Sequence, residues 1–203
     1  MSDVPKIPKS QLCSSELHRI SMERSVFLQS ETLVLVPWRA LAAIWYRESF
    51  ALNGIATPGG PFQFDPRPTA DQLKEMLHRY AKNLTATQID GFVSEGIDQF
   101  SSACLFAACH LRDVARYDLA VDQSDEAIKD AFYGYNGRGY GPSPDDSPYV
   151  MNNFDSAHLN MRIIGTEPDG HGGRIRVDTI DLRPGAFTVY KQLSLIDLEP
   201  REP

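Results

Sequence analysis

The run Trp45-Tyr46-Arg47-Glu48-Ser49-Phe50 sets a carboxylate among aromatic side chains at the end of an apolar helical segment. There Trp45, Tyr46 and Phe50 would withdraw Glu48 from water, and the negative end of the helix macrodipole faces it. Both effects disfavour the ionised form and raise the pKa, which a proton donor working near neutral pH requires. Arg47 opposes that shift only if it points the same way, and successive helical residues diverge by about 100°. Other chemistry is poorly supported. The histidines His18, His78, His110, His158 and His171 are scattered without ligand spacing, so no metal and no cofactor is expected. The run Asp169-Gly170-His171-Gly172-Gly173 lacks the recurring acids of a calcium loop and reads as a hairpin turn. Cys104 and His110 stand six apart on one helical segment and face differently, which argues against a thiol nucleophile.

The elements that must position Glu48 follow from periodicity. Trp38, Leu41, Ala42, Trp45 and Tyr46 recur at helical spacing after Pro37, which predicts a helix carrying Glu48 at its end. Asn53-Gly54 and Thr57-Pro58-Gly59-Gly60-Pro61 break it into a loop that runs to Phe62-Gln63-Phe64-Asp65-Pro66. Thr69 and Gln72 form a capping box for a helix over residues 70–83, with Leu73, Met76, Leu77 and Tyr80 on one face. A nearly all-round apolar segment over about 97–114 suits a central helix. Ser124 starts another helix that ends at Gly137-Arg138-Gly139, with Asn136 and Gly137 suited to a left-handed stop. Further on, Met161–Ile164 and Arg174–Val177 predict a hairpin spanning about 159–181, and a last helix covers about 185–195. Residues 1–20, with Pro5, Pro8 and several serines, read as an arm, 21–197 as one domain and 198–203 as a tail. The expected fold class is mainly α (α+β).

Three pieces in order, Arg47-Glu48-Ser49-Phe50, Gly60-Pro61-Phe62-Gln63 and Gly134-Tyr135-Asn136-Gly137, resemble the soluble lytic transglycosylases and goose-type lysozymes. In that family a helix ends in a catalytic Glu followed by Ser, a Gly-Leu-Met-Gln loop lines the cleft, and a later helix ends in Ala-Tyr-Asn-Ala-Gly. This chain departs at Pro61-Phe62 and at Gly134, and the match covers roughly residues 35–140. The resemblance implies a lysozyme-like helical domain, to which the C-terminal hairpin read from the residues is an addition outside the matching motifs, and an activity of glycan-strand cleavage at the β-1,4 bond between N-acetylmuramic acid and N-acetylglucosamine. It further implies Glu48 as general acid and base, with Tyr135 orienting its carboxyl by a hydrogen bond. Gln63, Phe64 and Asn136 would contact substrate, and Ser49 would support the acetamido group. No cofactor is implied.

A second carboxylate would decide the product. An inverting hydrolase holds a water with a base about 6.5–9.5 Å from the acid, whereas a transglycosylase completes the reaction with the substrate's own acetamido and 6-hydroxyl groups. Asp65, two residues after Gln63 where goose-type lysozymes also carry an Asp, is either that base or a turn cap before Pro66. Likewise Tyr135 reads as a core aromatic or a site residue. Phe132, Tyr133, Tyr135, Tyr140 and Tyr149 read as sugar-stacking rings or as packing.

Composition bounds the partners. The chain has 203 residues, 42% hydrophobic and 10% aromatic, enough to bury a sizeable core without disulfides. Its three cysteines, Cys13, Cys104 and Cys109, read as reduced and mostly buried thiols. The formal net charge of −7 argues against nucleic acid or an anionic membrane surface as a partner. No run is long enough to span a membrane, and Met1–Arg24 lacks the apolar block of a secretory signal. Synthesis in the cytoplasm and action on bacterial peptidoglycan then require delivery, by a phage virion or a dedicated secretion assembly. The competing expectation is a lysozyme-like structural or glycan-binding protein without turnover, such as a virion tail component.

Overall fold

A computed structural model describes residues 12–50, 60–64, 68–94, 99–138, 141–152, 154, 162–168, 173–181 and 183–196. The fold is mainly α. Its helices are α1 (Ser14–Met22), α2 (Arg24–Val34), α3 (Trp38–Trp45), α4 (Ala70–Tyr80), α5 (Ala86–Ser94), α6 (Phe100–Val114), α7 (Asp125–Tyr135), α8 (Pro148–Met151) and α9 (Ala186–Ser194). Two strands, β1 (Arg162–Pro168) and β2 (Arg174–Ile180), pair antiparallel from Arg162 opposite Ile180 to Pro168 opposite Arg174. Five residues, 169–173, separate the two strands in sequence, and the expected turn at 169–172 lies outside the described residues.

Helix α6 is the axis. Ser102 to Cys109 and Leu111 are buried around its whole circumference, because α2, α3, α4, α5 and α7 all pack on it. On this helix Ser102 donates to the Phe92 carbonyl at 2.9 Å, and Cys104 lies 3.3 Å from the Ser30 hydroxyl. Burial pushes the Cys104 and Cys109 thiols up to about 12, so both are inert, whereas Cys13 is exposed. Helix α4 starts at the Thr69–Gln72 capping box and buries Leu73 and Leu77, each worth roughly 1.5–3 kcal/mol of burial.

The approach of α7 to α6 requires a small residue. A Cβ on Gly134 would lie 2.7 Å from the Val114 carbonyl oxygen, so the glycine lets the end of α7 rest on the end of α6. At that end Gly137, at φ +72°, makes the left-handed stop, whereas Asn136 at φ −75° does not share it. Helix α9 returns against α3, α7 and α8, closing the bundle over the helix that carries Glu48.

The arm expected over residues 1–20 ends earlier. Residues 14–22 are helical, Leu12 and Ile20 are buried, and the Leu12 amide donates to the Gln192 side chain at 3.1 Å. The prolines that made this stretch look irregular lie before residue 9 and leave Leu12, Leu17 and Ile20 free to pack. Residues 1–11 and the expected tail at 198–203 lie outside the described residues. Among the described residues, no helix is long and apolar enough to cross a membrane.

Candidate active site

Glu48 sits in a wide turn. Helix α3 continues into a π turn, Tyr46–Phe50, an insertion that re-aims the side chains at a helix end. Arg47 is fully buried and Glu48 is 6% exposed. The backbone carbonyl of Glu48 accepts the Gln63 side-chain amide.

That bond ties down the turn Gly60–Phe64. Gly60 lies at φ +76°, the Gln63 amide donates to the Gly60 carbonyl at 3.1 Å, and Gln63 itself stands at φ +52°. A non-glycine residue in that region is strained and persists only when its surroundings hold it, here through its own side chain. Phe62 is buried and stacks on Phe100 with ring centroids 6.0 Å apart. The Phe62 carbonyl accepts the Tyr135 hydroxyl at 3.0 Å, which joins the turn to the end of α7.

The end of α7 is fixed in turn by charge. Arg138 donates to both Asp130 oxygens at 2.8 and 3.1 Å and to the Val114 carbonyl at 2.6 Å. Asn136 donates to Ser147, whose hydroxyl caps α8, and α8 presents Tyr149. Glu48, Phe62, Gln63, Phe64, His110, Tyr135, Asn136, Tyr149 and Arg183 thus line one pocket of about 460 Å³. A second pocket of about 400 Å³, lined by Gln72, Glu75, Met76, Arg79, Phe106 and Asp113, shares Phe64 and His110 with the first. The two pockets adjoin at Phe64 and His110, the first holding Glu48 and the second lying against α4.

Burial dominates the electrostatics of Glu48 and pushes its pKa up to about 7, against the pull of Arg183 and Arg47 and with a smaller push from Asp181. Among the described residues, Arg183 forms the ion pair with the carboxyl, its Nη1 3.8 Å from Oε2. Among the described residues, no donor hydrogen-bonds to the carboxyl. Burial also raises the Tyr135 hydroxyl, with the Glu48 charge adding to it, so the phenol is a neutral donor. Burial lowers His110, against a smaller pull from Asp113, so its imidazole is neutral above the ordinary histidine range.

Several expectations change. Among the described residues, the rings lining the pocket with Glu48 are Phe62, Phe64, Tyr135 and Tyr149, and the Phe50 side chain lies outside the described residues. Trp45 turns instead to Phe27 and Phe100, and the Tyr46 hydroxyl donates to Glu16 at 2.8 Å. The widened turn sends these rings into the α1–α2 side of the core. Tyr135 was expected to hydrogen-bond to the Glu48 carboxyl, but its one proton goes to the Phe62 carbonyl, because that buried acceptor has its own need of a donor. The amide nitrogens of Gln63 and Asn136 both serve protein partners, so these residues shape the pocket as well as lining it. Phe64 contacts Phe106, His110 and Tyr135 and stands between the two pockets. Phe132 and Tyr133 are core residues. The Ser49 side chain, Asp65 and Tyr140 lie outside the described residues.

Sequence reasoning missed Asp181, Arg183 and His110, whereas Tyr149, read there as a stacking or packing ring, lines the pocket. Asp181 follows β2 and accepts Arg183 Nε at 3.0 Å, Arg183 Nη2 at 3.1 Å and Arg47 Nη2. Burial alone would raise the Asp181 carboxyl, but the Arg183 and Arg47 cations outweigh it and hold it below the usual range. Arg47 also donates to the carbonyls of Arg183 and Pro184 and lies 4.3 Å over the Tyr149 ring. Asn152 completes the support, donating to the carbonyls of Asp181 and Arg183. The signal available in sequence was an Asp-x-Arg pair closing a strand, too common to notice alone. Among the described residues, no group of three or more His, Cys, Asp and Glu side chains could hold a metal ion. No protein-family model, no curated protein and no solved structure matches this chain.

Proposed function

We propose that the chain cleaves the glycan strand of bacterial peptidoglycan, with Glu48 as general acid and then base. One observation carries the reading: a buried carboxyl, its pKa pushed up to about 7 by burial, lines a pocket with Gln63 from a second segment and Tyr135 and Asn136 from a third. An acid with that pKa keeps a large protonated fraction at neutral pH and still gives its proton readily. Glu48 protonates the glycosidic oxygen, which leaves with the electron pair of the C1–O bond. Water or the sugar's own 6-hydroxyl then bonds to C1, and the proton it loses returns to Glu48. A second pocket adjoining the first at Phe64 and His110 supports a substrate with more than one unit.

The departures from the family pattern have packing causes. Gly134 stands where an alanine would strike the Val114 carbonyl, and Phe62 fills the core against Phe100. They therefore do not favour loss of turnover. The acidity of the substrate is met locally, since Arg183 places a cation on the pocket wall of a chain with net charge −7. Delivery to the wall falls to a virion or an export machine.

The test is mass spectrometry of sugars released from purified peptidoglycan. Anhydro-muramic ends identify a transglycosylase and reducing ends a hydrolase. Release of neither identifies the structural or glycan-binding protein and overturns the proposal.

A further inference from the structure

His110 stands where the two pockets adjoin, and three rings fix it there. Phe106, one turn earlier on α6, is stacked on it with centroids 6.2 Å apart and 15° between the planes. Phe64 meets it edge-on at 5.7 Å and 85°, and Tyr135 at 5.3 Å and 66°. These rings come from α6 itself, from the turn at 60–64 and from the end of α7. Of the two pockets, Tyr135 lines the first, Phe106 the second and Phe64 both, so the imidazole is held at the boundary between them.

The fold makes no use of the polar atoms of this side chain. Among the described residues, no group hydrogen-bonds to either imidazole nitrogen. Neither nitrogen is sealed in the core, because the side chain is half-buried and lines both pockets. A residue that only filled the space between three aromatic rings would do so better as Phe or Leu, which bring no nitrogen to withdraw from water. Burial leaves the ring neutral at pH 7, with one N–H to donate and one nitrogen to accept. That pair matches an uncharged group that itself donates and accepts, such as a sugar hydroxyl or an acetamido amide. The second pocket provides for the rest of such a ligand. Phe64, Met76 and Phe106 give it apolar surface, and its volume of about 400 Å³ falls within the roughly 300–1,000 Å³ of small-molecule sites.

We propose that His110 is a substrate-binding residue, whose imidazole hydrogen-bonds a hydroxyl or acetamido group of a sugar where the strand passes from the Glu48 pocket into the second pocket. The assignment rests on the reading of the substrate as glycan. It adds the contact that α6 makes with the strand, and it requires no bond-making or proton transfer by His110 itself.

The experiment uses the full chain carrying Glu48→Gln, so that the ligand is bound and not cut. The ligand is a tetrasaccharide of two N-acetylglucosamine–N-acetylmuramic acid units. Calorimetric titration should show affinity about threefold to tenfold weaker when His110→Phe is added, since the variant keeps a ring but loses both nitrogens and with them the worth of one hydrogen bond. In protein with 15N-labelled imidazoles, NMR should show a His110 nitrogen shifting on saturation with the tetrasaccharide while those of the other histidines stay in place. The His110 signals are assigned by their loss in His110→Phe or His110→Gln, so the shift can be read even if one of these variants does not fold. Unmoved His110 nitrogens, or an unchanged affinity in folded His110→Phe, overturn the proposal and leave glycan binding standing. A Glu48→Gln protein that does not bind the tetrasaccharide at all overturns the glycan reading and the proposal with it.

Discussion

Replacing Glu48 by Gln should make the protein more stable above neutral pH while leaving it little changed in acid. Glu48 has a folded-state pKa of about 7 against an ordinary value of 4.5, because burial disfavours its charge. Between those values the folded state holds a proton that the unfolded state has lost, so stability falls as pH rises. The contribution of Glu48 is fully present below about pH 4.5 and is lost as pH rises through about 7. At 1.36 kcal/mol per unit, the difference amounts to roughly 3 kcal/mol, a large part of the 5–15 kcal/mol typical of a domain. His110 works in the opposite sense, since burial lowers its pKa and stability is gained as pH rises through the ordinary histidine value. That slope is common to both proteins and cancels in the difference. Urea unfolding of wild type and Glu48→Gln at half-unit steps from pH 5 to 8 measures it. The two stability curves should diverge steadily in favour of Gln up to about pH 7. Parallel curves would refute the reasoning, because the carboxyl would then titrate alike in the folded and unfolded chains.

Gly134→Ala gains about 1 kcal/mol of helix propensity but drives a Cβ to 2.7 Å from the Val114 carbonyl, a backbone atom already held by Arg138. Overpacking of that kind costs about 1–3 kcal/mol, so thermal unfolding should show a Tm lowered by a few degrees, and a raised Tm would contradict the close packing of α6 and α7. Tyr135→Phe leaves the Phe62 carbonyl without its donor, for a loss of about 1–2 kcal/mol in chemical unfolding and increased amide exchange across residues 60–64. Asp181→Ala strands the buried Arg47 and should cost about 3–5 kcal/mol, read as a sharply lowered denaturation midpoint.

What the sequence revealed follows the strength of local signals. Helix α4 was legible from the Thr69–Gln72 box, α7 from the Ser124 cap, and α6 from a run of apolar residues that only a central position can bury. Helices α1, α2, α5 and α8 were not. In α2 the inward positions Phe27, Ser30 and Val34 include a serine that is satisfied only by Cys104, 74 residues away, so the apolar stripe is broken in sequence though continuous in space. The site divides in the same way. Glu48, Gln63 and Tyr135 stand in short motifs attached to helix ends, and the pocket unites them. The Asp181–Arg183 clamp lies 134 residues beyond Arg47, and nothing near it in sequence indicates that the chain folds back to the end of α3. The hydrogen bond of Tyr135 was misassigned because its choice between two acceptors depends on where Phe62 places its carbonyl, a matter of tertiary geometry.

The most direct measurement of the central claim is turnover of uncrosslinked glycan strands by wild type and Glu48→Gln, compared at pH 6 with both proteins shown to be folded by circular dichroism. Wild type should shorten the strands, and Glu48→Gln, which keeps the shape of the side chain but has no proton to give, should lose at least a hundredfold in rate. Equal rates in the two proteins, whether both active or both inert, would contradict the assignment of Glu48 as the acid.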